Sequence, residues 1–216
     1  MMIRLIGSGG AGKSTVGEVL ADLLGLPFLD LDRSFVEAHG DIDRFIASHG
    51  YHAYARANVE AYRAITNDQQ DGVLALSSGF MTYPPAIYRQ HADLRRDIER
   101  STTTFVLLPS LDLETCVGET VRRQLGRPSC QRSAMREEAV IRDRFGTYLS
   151  VRAPKGRDNA SGGRSRGGGT VTAVAQPGGV ARGSHPILAA AALLTAFRKG
   201  YPCWHYSVGL VGDRRD

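Results

Sequence analysis

The sequence predicts an α/β fold of three layers, αβα, around a central parallel sheet of four to five strands. Three observations lead there. Short apolar runs alternate with stretches of helical spacing through the first 150 residues. A glycine loop, GSGGAGKS, joins the first apolar run to the first helical stretch. The polar clusters Asp30/Asp32 and Ser77-Ser78-Gly79 come just after later runs. Open parallel sheets bind ligands there, beyond the carboxyl ends of their strands.

The elements follow in order. Residues 2–6 form a short apolar run before Gly7, read as a buried parallel strand. In KSTVGEVLADLLG, Val16, Val19, Leu20, Leu23 and Leu24 recur at helical spacing, and Gly25 closes the helix. LPFLDLD reads as a second strand that ends in two acids. FVEAHG, IDRFIASHG and YHAYARANVEAYRAI read as successive helices, punctuated by Gly40 and Gly50. GVLALSSGF is a third strand running into a polar loop, and AIYRQHADLRRDIER is helical. TTTFVLLPS is a β-branched fourth strand. DLETCVGETVRRQLG is a helix with an acid at its start, and RPSCQRSAMR is a basic loop with a breaker. REEAVIRDRFGTYL is a helix that Gly146 is expected to end. No internal repeat occurs.

The chain has 216 residues and 42% hydrophobic content, enough for one core of ordinary size. No run of eighteen apolar residues exists, so no membrane partner is expected. The N-terminus lacks the apolar stretch and small-residue site of a signal peptide. Cys116, Cys130 and Cys203 show no metal spacing and read as free thiols in a reducing cytoplasm. A cytoplasmic monomer is the expectation.

Charge divides the chain. Residues 1–150 carry 17 Lys+Arg against 19 Asp+Glu, whereas residues 151–216 carry 10 against 3. The formal charge of +5 thus belongs to the tail, which also holds 12 of the 25 glycines. Residues 1–150 are read as the domain, with a lid near 125–135. Residues 151–216 are read as a Gly/Arg/Ala-rich tail, either disordered or out of the gene's frame. A basic Gly/Arg/Ser segment also suits RNA contact, but nucleic acid is not the expected partner. The frame reading has a paper test. Residues 155–171 can be back-translated so that the same DNA, read one base on, gives KVETMRPVDEVVEAVR. That is a β-branched start, a turn proline and valines at helical spacing, as this fold needs after residue 150. On the disordered reading, ILAAAALLTAF at residues 187–197 is still free to dock as a helix.

Gly7-x-x-x-x-Gly12-Lys13-Ser14 matches the P-loop pattern in full, between a predicted strand and a predicted helix. Glycines let backbone N–H groups turn inward around phosphate oxygens, and the helix N-terminus adds partial positive charge. Lys13 reaches the β- and γ-phosphates, and the Ser14 hydroxyl suits Mg²⁺. ATP and Mg²⁺ are the implied cofactors. The loop does not name the acceptor. Asp30 and Asp32 help, because carboxylates two residues apart on a strand point the same way. One is suited to a metal-bound water and the other to a hydroxyl proton. Alone, the pair reads as solvated turn acids, and the P-loop one βα unit upstream turns the reading to function.

P-loop, DLD about twenty residues on, VLALSSGFMTYP, LGRP and RDRFGTY occur in this order. That series resembles the shikimate kinase family over residues 2–150. The resemblance implies that Gly9, Gly10, Ala11, Gly12, Lys13, Ser14 and Thr15 hold ATP and Mg²⁺. It implies that Asp30 helps anchor the metal and that Asp32 holds the acceptor hydroxyl and acts as its base. It makes Arg127 a lid arginine closing over the phosphates. It implies that Gly79 lies against the acceptor and that Arg144 grips its carboxylate. The chemistry agrees, since phosphoryl transfer needs positioning and charge neutralisation more than covalent work.

Two departures stand out. The family shows Phe-Arg-x-x-Glu after the Asp pair, with the arginine on the shikimate carboxylate. Here the stretch is Tyr54-Ala55-Arg56-Ala57-Asn58. The arginine is one residue late, about 100° around a helix, so Arg56 is expected to point elsewhere. Arg63 is a further candidate. The family's three glycines after strand three are here Ser77-Ser78-Gly79, adding bulk and two hydroxyls. The expected function is ATP-dependent phosphoryl transfer to a small hydroxylated molecule, shikimate or a similar hydroxy acid. The alternatives are a kinase of another polyol or nucleotide, and a nucleotide-binding protein without transfer activity.

Overall fold

The computed structural model describes residues 1–88, 90–126, 133–152, 170–175 and 205–210. Four parallel strands lie in the order β2-β3-β1-β4, namely β2 (Phe28–Asp30), β3 (Gly72–Ala75), β1 (Met2–Gly7) and β4 (Thr104–Leu108). The register pairs Leu5 with Ala75, Asp30 with Ala75 and Gly7 with Leu107. This aligns the carboxyl ends of all four strands along one edge.

Alternation along the strands separates two cores. Ile3, Leu5, Val73, Phe105 and Leu107 face helix α1 (Lys13–Leu24), packing on Val16 and Leu20. Ile6, Leu74, Leu76, Val106 and Leu108 face the other layer. That layer includes α2 (Leu31–His39), α4 (Tyr51–Asp68) and α7 (Ala134–Arg152), which contribute Phe35, Tyr54, Val59 and Tyr148. Both faces of the sheet are therefore covered, as a parallel sheet requires. Helices α3 (Ile42–His49), α5 (His91–Arg100) and α6 (Leu113–Leu125) complete the described helices.

Local chemistry places the boundaries. Gly25, Gly40 and Gly50 each follow a helix with positive φ, at 64°, 81° and 84°. Asp41 caps α3 and Asp112 caps α6, each accepting a backbone N–H of the first turn at 2.9 Å. Gly7 is demanded by tertiary contact. Its φ is 149°, and a Cβ there would lie 2.1 Å from the Leu107 carbonyl oxygen on β4.

Three expectations need correction. LPFLDLD is not strand to its end. Strand β2 stops at Asp30, whose carboxylate accepts the backbone N–H groups of Asp32 and Arg33 and starts α2. Asp32 is thus on the first turn of a helix. Gly146 does not end the last helix, which runs six residues further to Arg152. Tyr148 and Val151, both buried, hold that final stretch to the core, outweighing a glycine cost of about 1 kcal/mol. The helix expected over residues 86–100 begins only at His91. A short 3₁₀ turn, Pro85–Ile87, and an extended Tyr88 precede it.

Beyond residue 150, β5 (Thr170–Ala175) pairs antiparallel with β4, and β6 (His205–Leu210) pairs parallel with β5. Composition did not indicate these two strands. Most of the expected lid, residues 127–132 with Arg127 and Cys130, lies outside the described residues, as do 187–197 and Cys203. No described helix is long and apolar enough to cross a membrane.

Candidate active site

The glycine loop turns from β1 into α1 at the carboxyl edge of the sheet. Gly10 and Gly12 have φ of 76° and 89°, which keeps the loop tight. Ala11 N–H donates to Ser8 O at 3.2 Å, and Val16 N–H donates to Gly12 O at 2.9 Å. The first N–H groups of α1 have no intrahelical acceptor, so this end of the helix is positive and offers donors. A cavity of about 360 Å³ opens there. Gly9, Gly10, Gly12, Lys13, Ser14, Asp30 and Asp32 all line it.

Lys13 Nζ donates to Gly7 O at 2.9 Å and to Ser8 O at 3.0 Å, lying back along its own loop. Ser14 Oγ donates to Asp30 Oδ2 at 2.6 Å. Asp30 therefore uses one oxygen to cap α2 and the other to meet Ser14. The carboxylates of Asp30 and Asp32 share the cavity through a helix cap and not through strand geometry.

Asp32 Oδ1 accepts the Ser77 hydroxyl at 2.5 Å and the Tyr54 phenol at 3.3 Å. Burial, and then the Asp32 charge beside it, hold the Tyr54 phenol well above its ordinary pKa, so it stays a donor. Ser77 also lies 2.8 Å from Asn58 Oδ1. Sequence reasoning missed Tyr54 and Asn58 as partners of this site. Their i,i+4 spacing on α4 was the available signal, since it puts both on one face.

The remaining expected residues sort plainly. Ala11 contributes only backbone, because its methyl is buried in the core beside α1. Thr15 is exposed and is not part of the cavity wall. Arg144 and Gly79 stand one layer away. Arg144 donates to Ser78 Oγ at 3.1 Å and to Tyr51 OH at 3.3 Å. A Cβ on Gly79 would lie 2.8 Å from Tyr51 OH and 3.1 Å from Arg144 Nη2, so glycine lets these groups close in. Arg56 is exposed, as its register implied, and Ala55 is fully buried. Arg63 leans on Tyr88, its guanidinium 5.3 Å from the ring centroid, and is not part of the cavity wall. Gln124 lies directly against Gly9, where a Cβ would meet its Nε2 at 2.4 Å. Arg123, from the same helix, donates to Gly10 O at 3.1 Å.

Comparison with known proteins identifies this arrangement. The profile of the family described as shikimate kinase matches residues 9–152. The chain belongs to the shikimate kinase family. Shikimate kinase of Mycobacterium avium (strain 104) is 30% identical over 160 residues, which is 72% of this chain and 84% of that protein. Among solved structures, shikimate kinase from Acinetobacter baumannii in complex with shikimate gives a TM-score of 0.50 at 26% identity. That likeness covers 69% of this chain and 79% of that one. Shikimate kinase from Bacteroides thetaiotaomicron, 19% identical, gives a TM-score of 0.51 over 69% of this chain and 82% of that one, a likeness of fold. The shikimate kinase match ends where α7 ends and takes in every cavity-lining residue named above, with only Gly7 and Ser8 of the glycine loop preceding it.

Proposed function

We propose that this chain transfers the γ-phosphoryl group of ATP to a hydroxyl of a small molecule, shikimate or a similar hydroxy acid. The observation that carries the reading is the convergence of Lys13, Ser14, Asp30 and Asp32 on one cavity at the carboxyl edge of the sheet. The backbone of Gly9, Gly10, Ala11 and Gly12, continuing through Thr15, would cradle phosphate oxygens, with Lys13 supplying a point charge. Ser14 and Asp30 fit Mg²⁺, because a hydroxyl and a carboxylate 2.6 Å apart are hard oxygen donors. No cluster of three metal-binding side chains exists among the described residues. Mg²⁺ at a nucleotide needs none, since it keeps waters and phosphate oxygens as ligands. When bound, Mg·ATP supplies the phosphoryl group and neutralises its charge.

Asp32 would accept the acceptor's hydroxyl proton, and Arg127 would close over the phosphates. Arg144 would hold the acceptor's carboxylate. Among the described residues it has hydroxyl partners but no carboxylate partner, so its charge is available. Gly79, whose lack of a Cβ lets Tyr51 and Arg144 close in, would lie against the acceptor. Ala55 supplies no second guanidinium, which favours shikimate analogues with a less demanding carboxylate grip as acceptors to test beside shikimate. The reading includes a cytoplasmic monomer.

Two measurements test it. Millimolar Mg·ATP is expected to raise the melting temperature of the chain, and Lys13→Met is expected to abolish the shift. A panel of hydroxy acids, shikimate first, is expected to yield a phosphorylated product. A folded sample whose melting curve ignores Mg·ATP overturns the nucleotide site. Binding without transfer to any acceptor overturns the kinase.

A further inference from the structure

The Asp32 carboxylate is fastened on one side only. Its Oδ1 takes both Ser77 and Tyr54. Among the described residues no donor reaches Oδ2, the oxygen left for a ligand in the cavity. Behind Ser77 stands Asn58, fully buried, its side-chain oxygen 2.8 Å from Ser77 Oγ and its Nδ2 without a partner.

A hydroxyl carries a single proton. Ser77 lies between two acceptors, and the nearer one is a carboxylate, which takes the stronger bond. The contact to Asn58 then becomes a hydrogen bond only if the amide presents N–H to Ser77. A half-turn of the amide does this, and it gives the stranded Nδ2 an acceptor. The result is a directed chain: Asn58 N–H to Ser77 Oγ, and Ser77 O–H to Asp32 Oδ1.

The residue types fit this direction. In the pattern this chain resembles, position 77 is glycine and position 58 is glutamate. Glycine has no hydroxyl, and an ionised glutamate cannot donate. Serine and asparagine together create a donor chain that neither creates alone. Asp32 sits half-buried on the first turn of α2, where without Ser77 only the longer 3.3 Å contact to Tyr54 would hold its carboxylate. Misplacement by about 1 Å is enough to cost roughly 10²-fold in a positioned reaction.

We propose that Ser77 and Asn58 are positioning residues for Asp32, holding Oδ1 so that Oδ2 meets the acceptor hydroxyl. The inference rests on the reading of Asp32 as base. It is tested by steady-state kinetics on the full chain with the best acceptor of the panel. Ser77→Ala and Ser77→Gly are expected to lower kcat about tenfold. KM for ATP should stay within about twofold. Ser77→Thr, which keeps the hydroxyl, is expected to restore most of the rate. Asn58→Leu should lower kcat by a smaller factor and add little to Ser77→Ala. In an Asp32→Asn background Ser77→Ala should have no further effect.

A kcat within twofold of the parent in Ser77→Ala overturns the proposal. So does an equal loss in the Asp32→Asn background, which means Ser77 acts by another route. If Asp32→Asn itself turns over normally, the base reading falls and the proposal falls with it. A crystal structure of Ser77→Ala or Asn58→Leu is a test independent of turnover. The Asp32 side chain is expected in more than one rotamer, and a single unchanged rotamer in both overturns the proposal.

Discussion

On the proposed function, Asp32 and Arg144, two charged residues near one cavity, divide between chemistry and binding. Asp32 lines the cavity itself, whereas Arg144 lies behind Ser78 and Tyr51. If Asp32 is the base as proposed, removing its charge without changing shape should strike the transition state. Asp32→Asn is expected to keep the Mg·ATP melting shift and lower kcat by about 10² or more. Arg144→Ala removes a grip remote from transfer, so it is expected mainly to raise the acceptor KM. Initial-rate measurements over both substrates check the split. Equal losses of kcat in the two variants would contradict it. The same two residues differ in legibility. Asp32 was readable through its distance from the P-loop, but its partners were not. Ser77 is 45 residues away and Asn58 is 19 residues from Ser77, so no local pattern joins them.

At the level of elements, glycine is required in one place and merely tolerated in another. Gly7 ends β1 at a φ of 149° with the Leu107 carbonyl in the space of a Cβ. Gly7→Ala is expected to destabilise the chain by about 3 kcal/mol, from backbone strain and overpacking together. Gly146 sits within α7 with nothing within 4 Å of a built Cβ. Gly146→Ala is expected to stabilise by about 0.5–1 kcal/mol. Urea unfolding checks both signs. Helix α5 carries a different test. His91 is buried at its start, with Nε2 3.0 Å from the Phe80 carbonyl. Burial pulls its pKa below the ordinary 6.5, against the opposing pull of that carbonyl. The unfolded chain then binds more protons than the folded one below pH 6.5. His91 therefore adds stability above that pH, and the addition is lost as pH falls toward the folded value. The urea midpoint is expected to drop between about pH 7 and 5.5, less steeply in His91→Gln. An identical slope in that variant would assign the drop to other groups.

For the whole molecule, the question is what completes the sheet beside β4. The family match ends at residue 152, and β5 joins antiparallel to a strand whose other neighbour is parallel. The reading of the segment beyond residue 152 as out of the gene's frame stays a proposal, and β5 and β6 are strands within that segment. On the frame reading, the DNA encoding residues 155–171 is expected to read KVETMRPVDEVVEAVR or a close variant one base on. The gene sequence checks it, and a stop codon or loss of the valine spacing ends it. A chain rebuilt with the shifted-frame residues from 155 is expected to melt higher, because the edge of β4 gains a native partner. An unchanged or lower melting temperature would favour the tail as it stands.

The sequence by itself determined the layer order, the P-loop and the family resemblance, because each is written in contiguous residues. GSGGAGKS makes its turns and aims its N–H groups within eight positions, and the apolar run of residues 2–6 marks a buried strand without any partner. Tertiary structure decided the rest. It moved Asp32 from a strand to a helix, because the Asp30 carboxylate is spent on capping α2. It carried α7 past Gly146, because Tyr148 and Val151 have a core to enter. It also set Ser77 between Asp32 and Asn58. That contact depends on how β3 and α4 meet α2 in space, which is a balance of packing over distant segments and not a property of any one of them.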